Sequence, residues 1–143
     1  MRDHILRRLT MACALVATWM ALPAAEAWGS PDPSWFWQWS DGSRDRQRKV
    51  SEADFDTWEQ IPALTVASSP RRPGVPVQLQ IRHGRSWRTE DETVTDSRGR
   101  ARLRVNPYCR DGAWCDESVD YRIRAGRATA SLTIDFTDRS SPP

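Results

Sequence analysis

The sequence has 143 residues with 21 basic and 19 acidic side chains, and this near balance excludes the broad cationic surface with which many proteins bind nucleic acids or anionic lipids. The length is suited to a single domain of ordinary size. In chain order, the residues divide into a leader, a tryptophan-rich arm, a β-rich domain and a short tail.

The first 27 residues are typical of a secretory signal peptide. Three arginines precede an apolar run over residues 9–22, and Ala25 and Ala27 occupy the small-residue positions of a cleavage site. The apolar run has 14 residues, whereas a membrane-spanning helix needs about 20. We therefore predict cleavage after residue 27 and a secreted protein, extracellular or held at the cell envelope, without a transmembrane anchor.

Residues 28–61 form the tryptophan-rich arm. Trp35, Trp37 and Trp39 recur at a period of two, so in an extended segment their indoles share one face at a spacing of about 6–7 Å. If exposed, this ladder could stack on sugar rings or lie at a lipid interface. If the segment packs on the domain as an extra edge strand, the same side chains are buried, and the sequence leaves both arrangements open.

The rest of the arm is a charged stretch followed by a short helical segment. We expect residues 41–49 to form a mobile surface loop because they are almost entirely polar. Residues 51–58 are expected to form one or two helical turns, with Ser51 as the N-cap.

Residues 62–137 break into seven short β-rich runs separated by turn residues. The predicted strands are 63–68, 75–83, 86–90, 92–95, 100–105, 119–125 and 128–136. Apolar and polar residues alternate within several of them, as in strands with one buried and one solvated face. The inward-facing set predicts the core: Val77, Leu79, Ile81, Trp87, Ala101, Leu103, Val105, Tyr121, Ile123, Ala130, Leu132, Ile134 and Phe136. Residues 138–143 are predicted to be a disordered tail.

Two cysteines remain after the expected cleavage, Cys109 and Cys115. An even number of cysteines in an oxidising compartment indicates that they form a disulfide. A zinc site would need four ligands, and the cleaved chain offers these two thiols and one histidine, His83. We therefore predict no metal site and no cofactor.

Four segments follow one another in order: PGVPVQLQ from Pro73, SWRT from Ser86, TDSRGRA from Thr95 and VDYRIRA from Val119. Together they resemble the immunoglobulin-like or fibronectin type III-like domains of secreted actinobacterial proteins. The resemblance covers residues 62–137 and implies an all-β, seven-stranded Greek-key sandwich, preceded here by the arm and its short helix.

The resemblance also implies roles for particular side chains. Trp87 stands near the position of the core tryptophan of the third strand, and Tyr121 stands where a tyrosine corner is common. The second and sixth strands lack the usual inter-sheet cysteines. Aliphatic residues such as Leu79 and Ile123 would take their place, and the disulfide would close the loop between the fifth and sixth strands.

That closed loop is the most site-like feature of the sequence. A short disulfide ring with Asp111 and Gly112 at its turn would present Arg110 and Trp114 on a constrained frame, which favours ligand binding. Alternatively, the bridge only stabilises a long connection.

Arginines alternate with apolar residues over 100–105 and 119–125. The resemblance implies that these two strands lie in opposite sheets, so their arginines face apart, and that the first set joins Arg82 in one short basic stripe. We interpret these arginines as a solvated surface that opposes aggregation, and we expect no nucleic-acid partner.

An enzymatic function has the least support. His83 and Ser86 lack a third partner and an oxyanion site, and the carboxylates at 90–92 suit a solvated strand end. We therefore predict no catalytic residues and a secreted, non-enzymatic domain that binds an extracellular protein or a cell-wall polysaccharide. A carbohydrate-binding module that uses the tryptophans is the alternative, and a small secreted hydrolase is a more distant one.

Overall fold

The structure is a computed structural model and describes residues 32–139. The predicted signal peptide, residues 28–31 of the arm and residues 140–143 of the predicted tail lie outside the described residues. Between residues 32 and 139, none of the helical segments has the length and apolarity of a membrane span.

The described chain is predominantly β-strand, as predicted, with two turns of 3-10 helix. Its strands are β1 Ser34–Trp39, β2 Gln47–Ser51, β3 Leu64–Ser69, β4 Pro76–His83, β5 Ser86–Val94, β6 Arg100–Leu103, β7 Ser118–Ala125 and β8 Ala128–Thr137. The 3-10 turns cover Glu52–Asp54 and Trp58–Gln60.

The strands form two sheets. One contains β1, β3 and β6 in that order, and the other contains β2, β8, β7, β4 and β5. All neighbouring strands are antiparallel except β2, which pairs in parallel with β8. Buried apolar side chains from both sheets join in one cluster, an arrangement compatible with a β-sandwich.

The predicted and the observed elements differ at three places. The runs predicted at 86–90 and 92–95 form one strand, β5, because a β-bulge absorbs an extra residue and the ladder continues past Asp91. The loop predicted over 41–49 is shorter, because residues 47–49 belong to β2 and pair with β8. The helical segment predicted over 51–58 is replaced by the two 3-10 turns, and Ser51 caps the first by accepting the Ala53 N–H at 3.3 Å.

Most of the predicted core is buried. The buried members are Val77, Leu79, Ala101, Leu103, Val105, Tyr121, Ile123, Leu132, Ile134 and Phe136. Ile81 and Ala130 are half-buried. The arm and the residues before β4 add further buried side chains to the same cluster, namely Trp39, Val50, Ile61, Leu64 and Val66.

Trp87 does not belong to the core, and its prediction was wrong. The β4–β5 register places it directly opposite Arg82, and directly opposed side chains lie on the same face of a sheet. Its ring packs beneath the Arg122 guanidinium, 4.6 Å from the ring centroid, on the outer face of the five-stranded sheet. The resemblance to a core tryptophan of the third strand therefore does not hold for this residue.

The arginines of β6 and β7 lie in different sheets, as predicted. The basic stripe that was to join Arg82 with the arginines of β6 is not formed, because β4 lies in the other sheet. Instead, Arg82 pairs with Asp120 on the neighbouring strand β7 at 3.4 Å.

Candidate functional site

Trp35, Trp37 and Trp39 face the interior of the domain. Strand β1 pairs with β3 so that Trp39 is opposite Leu64 and Trp37 is opposite Val66. Because these two partners are buried, the tryptophans opposite them are directed into the core. Trp39 is fully buried, and Trp35 and Trp37 are half-buried. Strand β1 therefore packs on the domain as an edge strand, which is the second of the two arrangements that the sequence leaves open. The three indoles do not form an exposed ladder.

The aromatic side chain that β1 exposes is Phe36, with half of its surface accessible. Trp35 and Trp37 line a small apolar recess of about 70 Å³ beside the β7–β8 hairpin. Typical ligand pockets have volumes of about 300–1,000 Å³, so this recess does not suit a sugar ring.

The sulfur atoms of Cys109 and Cys115 are bonded at 2.08 Å, so the predicted disulfide is present. Within the loop it closes, Trp114 is half-buried and packs edge-on against Phe136, with ring centroids 6.5 Å apart. Trp114 therefore anchors the loop to the core. Arg110 is exposed and remains available for contacts.

The same loop contains a group of potential metal ligands. The sulfur atoms of Cys109 and Cys115 and a carboxylate oxygen of Glu117 lie within 4.8 Å of one another. In the disulfide the two sulfur atoms are bonded to each other, so neither is a thiolate. The thiolate is the form of cysteine that binds a metal. This group is therefore not suited to hold an ion in the oxidised protein.

A groove of about 1020 Å³ lies where the β4–β5 hairpin, the segment after β6, the disulfide loop and the start of β7 meet. We call it the hairpin groove. The lining residues with polar or ionisable side chains that matter most here are His83, Arg88, Glu90, Tyr108, Arg110 and Tyr121. Two residues singled out from the sequence meet in this groove. They are Arg110, a predicted ligand residue, and His83, the one histidine that remains after the expected cleavage.

Arg110 determines which nitrogen of His83 carries a hydrogen. Its Nη2 lies 3.1 Å from His83 Nδ1, and a guanidinium can only donate hydrogen bonds. Nδ1 must therefore accept, and the neutral ring carries its hydrogen on Nε2. His83 Nε2 is buried and has no hydrogen-bond partner among the described residues. The hairpin groove thus contains an N–H donor that none of residues 32–139 satisfies.

Desolvation and the nearby positive charges keep the His83 ring neutral. Desolvation lowers the pKa of His83, and the positive charges of Arg110 and Arg88 lower it further. The uncharged ring is therefore favoured at neutral pH, in agreement with the hydrogen bond that Arg110 donates.

Glu90 owes its position to the bulge in β5. Leu79 pairs with Asp91 and Gln80 pairs with Thr89, so Glu90 is the extra residue between two ladder positions. A bulge redirects the side chain of its extra residue, and Glu90 is half-buried here although the strand end was predicted to be solvated. Its Oε2 is buried and has no hydrogen-bond partner among the described residues.

Burial raises the pKa of Glu90 to about 7, against the smaller lowering by a backbone hydrogen bond from Asn106 and the charge of Arg88. Tyr121 is fully buried nearby. Its pKa is raised by burial and, to a smaller extent, by the charges of Glu90 and Glu117. The groove therefore combines a carboxyl group that changes protonation near neutrality with a phenol that stays protonated.

Two arginines at the groove form no ion pair within 4.0 Å with any described residue. Among the described residues, the ion pairs within 4.0 Å are Arg48–Asp41 and Arg82–Asp120. Arg88 and Arg110 take part in neither, and both side chains are exposed. Their charges, which act on His83, are therefore available to a ligand.

Glu90→Gln is expected to remove one component of the pH dependence of stability. Because the folded-state pKa of about 7 lies above the ordinary value of 4.5, the contribution of Glu90 is full below pH 4.5 and is lost as the pH rises through 7. Each pKa unit corresponds to about 1.4 kcal/mol, and partial solvation reduces the total, so we expect a loss of about 2 kcal/mol between pH 4.5 and 8.

Urea unfolding at pH 4.5 and pH 8 measures this effect. The Glu90→Gln protein should match the wild type at low pH and exceed its free energy of unfolding by about 2 kcal/mol at pH 8. Glu92→Gln on the exposed face of the same strand is the control. Equal pH dependence in the wild type and the Glu90→Gln protein would show that Glu90 is not a buried titrating group.

Sequence reasoning missed Glu90 because no local pattern in EDE at 90–92 identifies the bulge. The Arg110–His83 contact joins residues 27 positions apart, so it too depends on the tertiary fold. No protein-family model matches the chain, and comparisons with the curated proteins and with the solved structures give no match. The hairpin groove is therefore the feature on which a functional conclusion depends.

Proposed function

We propose that this chain is a secreted, non-enzymatic binding domain and that its ligand occupies the hairpin groove. One observation carries the proposal: His83 Nε2 and Glu90 Oε2 are both buried without a hydrogen-bond partner among the described residues, and both residues line the groove. A buried polar atom without a partner costs about 1–3 kcal/mol. Because both atoms are shielded from solvent, a ligand recovers that cost when the His83 and Glu90 side chains turn toward it on binding.

The contacts of Ser86 favour binding over hydrolysis. Its hydroxyl donates to the backbone carbonyl of His83 at 3.0 Å. The imidazole Nδ1 is engaged by Arg110, so the ring does not activate this hydroxyl through that nitrogen. A hydrolase based on Ser86 and His83 would require both contacts to rearrange.

We propose further that the sandwich is of the immunoglobulin-like type. In this proposal β1 and β2 are two halves of one edge strand that passes from the three-stranded sheet to the five-stranded sheet, which leaves seven strands. The parallel pairing of β2 with the last strand, β8, supports this interpretation. The assignment differs from the seven predicted strands, because the arm supplies the first strand and β5 replaces two.

The binding proposal is tested with a ligand library and two variants. The full chain is screened by saturation-transfer NMR against monosaccharides, oligosaccharides, amino acids and short peptides. His83→Phe removes both ring nitrogens at the groove, and Phe36→Ser is the control because it removes an exposed aromatic side chain on β1.

Ligands of the wild type should lose at least about tenfold in affinity for the His83→Phe protein, as expected when a hydrogen bond worth about 1.4 kcal/mol is removed. They should bind the Phe36→Ser protein unchanged. Full retention of binding by His83→Phe, or a library without any ligand, would refute the groove as the binding site.

A further inference from the structure

We infer that the hairpin groove binds an acidic sugar, with the ligand's carboxylate held by Arg88, Arg110 and His83 and a neighbouring hydroxyl held by Glu90. This inference rests on the proposed binding function and adds the chemical class of the ligand. It is argued from the charges and the unpartnered atoms of the groove.

The arginines of the groove favour an anionic group on the ligand. Arg88 and Arg110 lie close enough to His83 to act on its pKa, and neither arginine has a carboxylate within 4.0 Å among the described residues. The buried Nε2–H of His83 adds a third donor without an acceptor. Donors of this kind match a carboxylate, which accepts charge-assisted hydrogen bonds through two oxygens.

Acidic side chains of the groove limit the charge of the ligand. Glu90, Asp111 and Glu117 all line the groove, so a second anionic group placed beside them would be repelled. A hydroxyl group suits Glu90, because it can donate to an ionised carboxylate and accept from a protonated carboxyl group. The ligand therefore carries one carboxylate and at least one hydroxyl close to it.

An aromatic ring at the groove is the reason to infer that the ligand is a sugar. Tyr108 lines the groove and is 43% exposed, and its ring is held edge-on against Trp114 with centroids 6.0 Å apart. A fixed, exposed aromatic ring offers an apolar surface to the C–H face of a sugar. A hydroxylated ring that bears a carboxylate, as in a uronic acid, meets all three requirements together.

The inference is tested by calorimetric titration of the full chain with sodium galacturonate, galactose and inorganic phosphate. Galacturonate should bind at least about tenfold more tightly than galactose, which lacks the carboxylate, and more tightly than phosphate, which lacks the sugar ring. Equal affinity for galactose and galacturonate would overturn the inference, and so would equal affinity for phosphate.

Three arginine variants test whether the preference for galacturonate arises at the hairpin groove. Arg88→Gln and Arg110→Gln should each weaken galacturonate binding about tenfold and leave galactose binding within about twofold. Arg127→Gln, in the turn between β7 and β8, removes the same charge away from the groove and should change neither affinity. All three arginines are exposed, so the variants are expected to fold, and circular dichroism checks this.

The two proposals fail in different ways. If galacturonate does not bind but other ligands lose affinity for the His83→Phe protein, the groove is a binding site and the acidic-sugar inference is wrong. If Arg127→Gln weakens galacturonate binding as much as Arg110→Gln does, the attraction is general surface charge and the inference is likewise wrong. If no ligand responds to His83→Phe, both proposals are wrong.

Discussion

Replacement of Trp39 by alanine is expected to lower the free energy of unfolding by about 3–5 kcal/mol, because a large, fully buried aromatic side chain is lost and leaves a cavity. The indole N–H also donates to the Asp45 carbonyl at 3.1 Å, and the Arg48 guanidinium lies 4.7 Å from the ring centroid. Domains of this size have free energies of unfolding of about 5–15 kcal/mol, so one substitution removes a large part of the total.

Urea denaturation followed by circular dichroism measures this loss. Phe36→Ala is the matched control, because it removes an aromatic side chain from the exposed face of the same strand. The control should cost less than about 1 kcal/mol. If Trp39→Ala costs no more than Phe36→Ala, the tryptophans of β1 do not face the core.

Gly99→Ala is expected to lower the free energy of unfolding by about 2–4 kcal/mol. Gly99 has a φ of +70°, a conformation that is unfavourable for residues with a Cβ. A Cβ at this position would lie 2.8 Å from Ser68 Oγ and 2.9 Å from the Arg72 backbone nitrogen. The strain in φ and the steric overlap act together, and overpacking of this kind costs about 1–3 kcal/mol.

Gly126→Ala separates these two contributions. Gly126 has a φ of +58° but no atom within 4 Å of an added Cβ, so its substitution incurs the conformational strain alone. We expect Gly126→Ala to cost about 1 kcal/mol, less than Gly99→Ala by at least about 1 kcal/mol in the same urea titration. Equal losses would indicate that the segment around Arg72 moves freely to accept the methyl group.

The strands with regular alternation could be predicted from the sequence because their period of two directly reports which face is buried. Leu103 on β6 and Ile123 on β7 are buried as the pattern indicated. Strand β2 could not be predicted in this way. Its one buried side chain is Val50, and it depends on parallel pairing with β8, which is more than 80 residues away in the sequence.

The hairpin groove was predictable only in part. The disulfide and Arg110 were recognised because cysteine spacing is a local signal. Glu90 was not, because its inward position results from a bulge that depends on pairing with β4. Trp87 was misassigned for the same kind of reason: the hairpin register, which is set by the turn, decides its face.

The most direct test of the binding groove is the ¹⁵N NMR spectrum of the His83 imidazole at pH 7, assigned by comparison with the His83→Phe protein. The hydrogen bond from Arg110 and the lowered pKa of His83 predict a neutral ring with its hydrogen on Nε2. The Nε2 signal should shift when a ligand from the library binds. A hydrogen on Nδ1, or a charged ring at pH 7, would contradict the account, because Nδ1 could then not accept from Arg110.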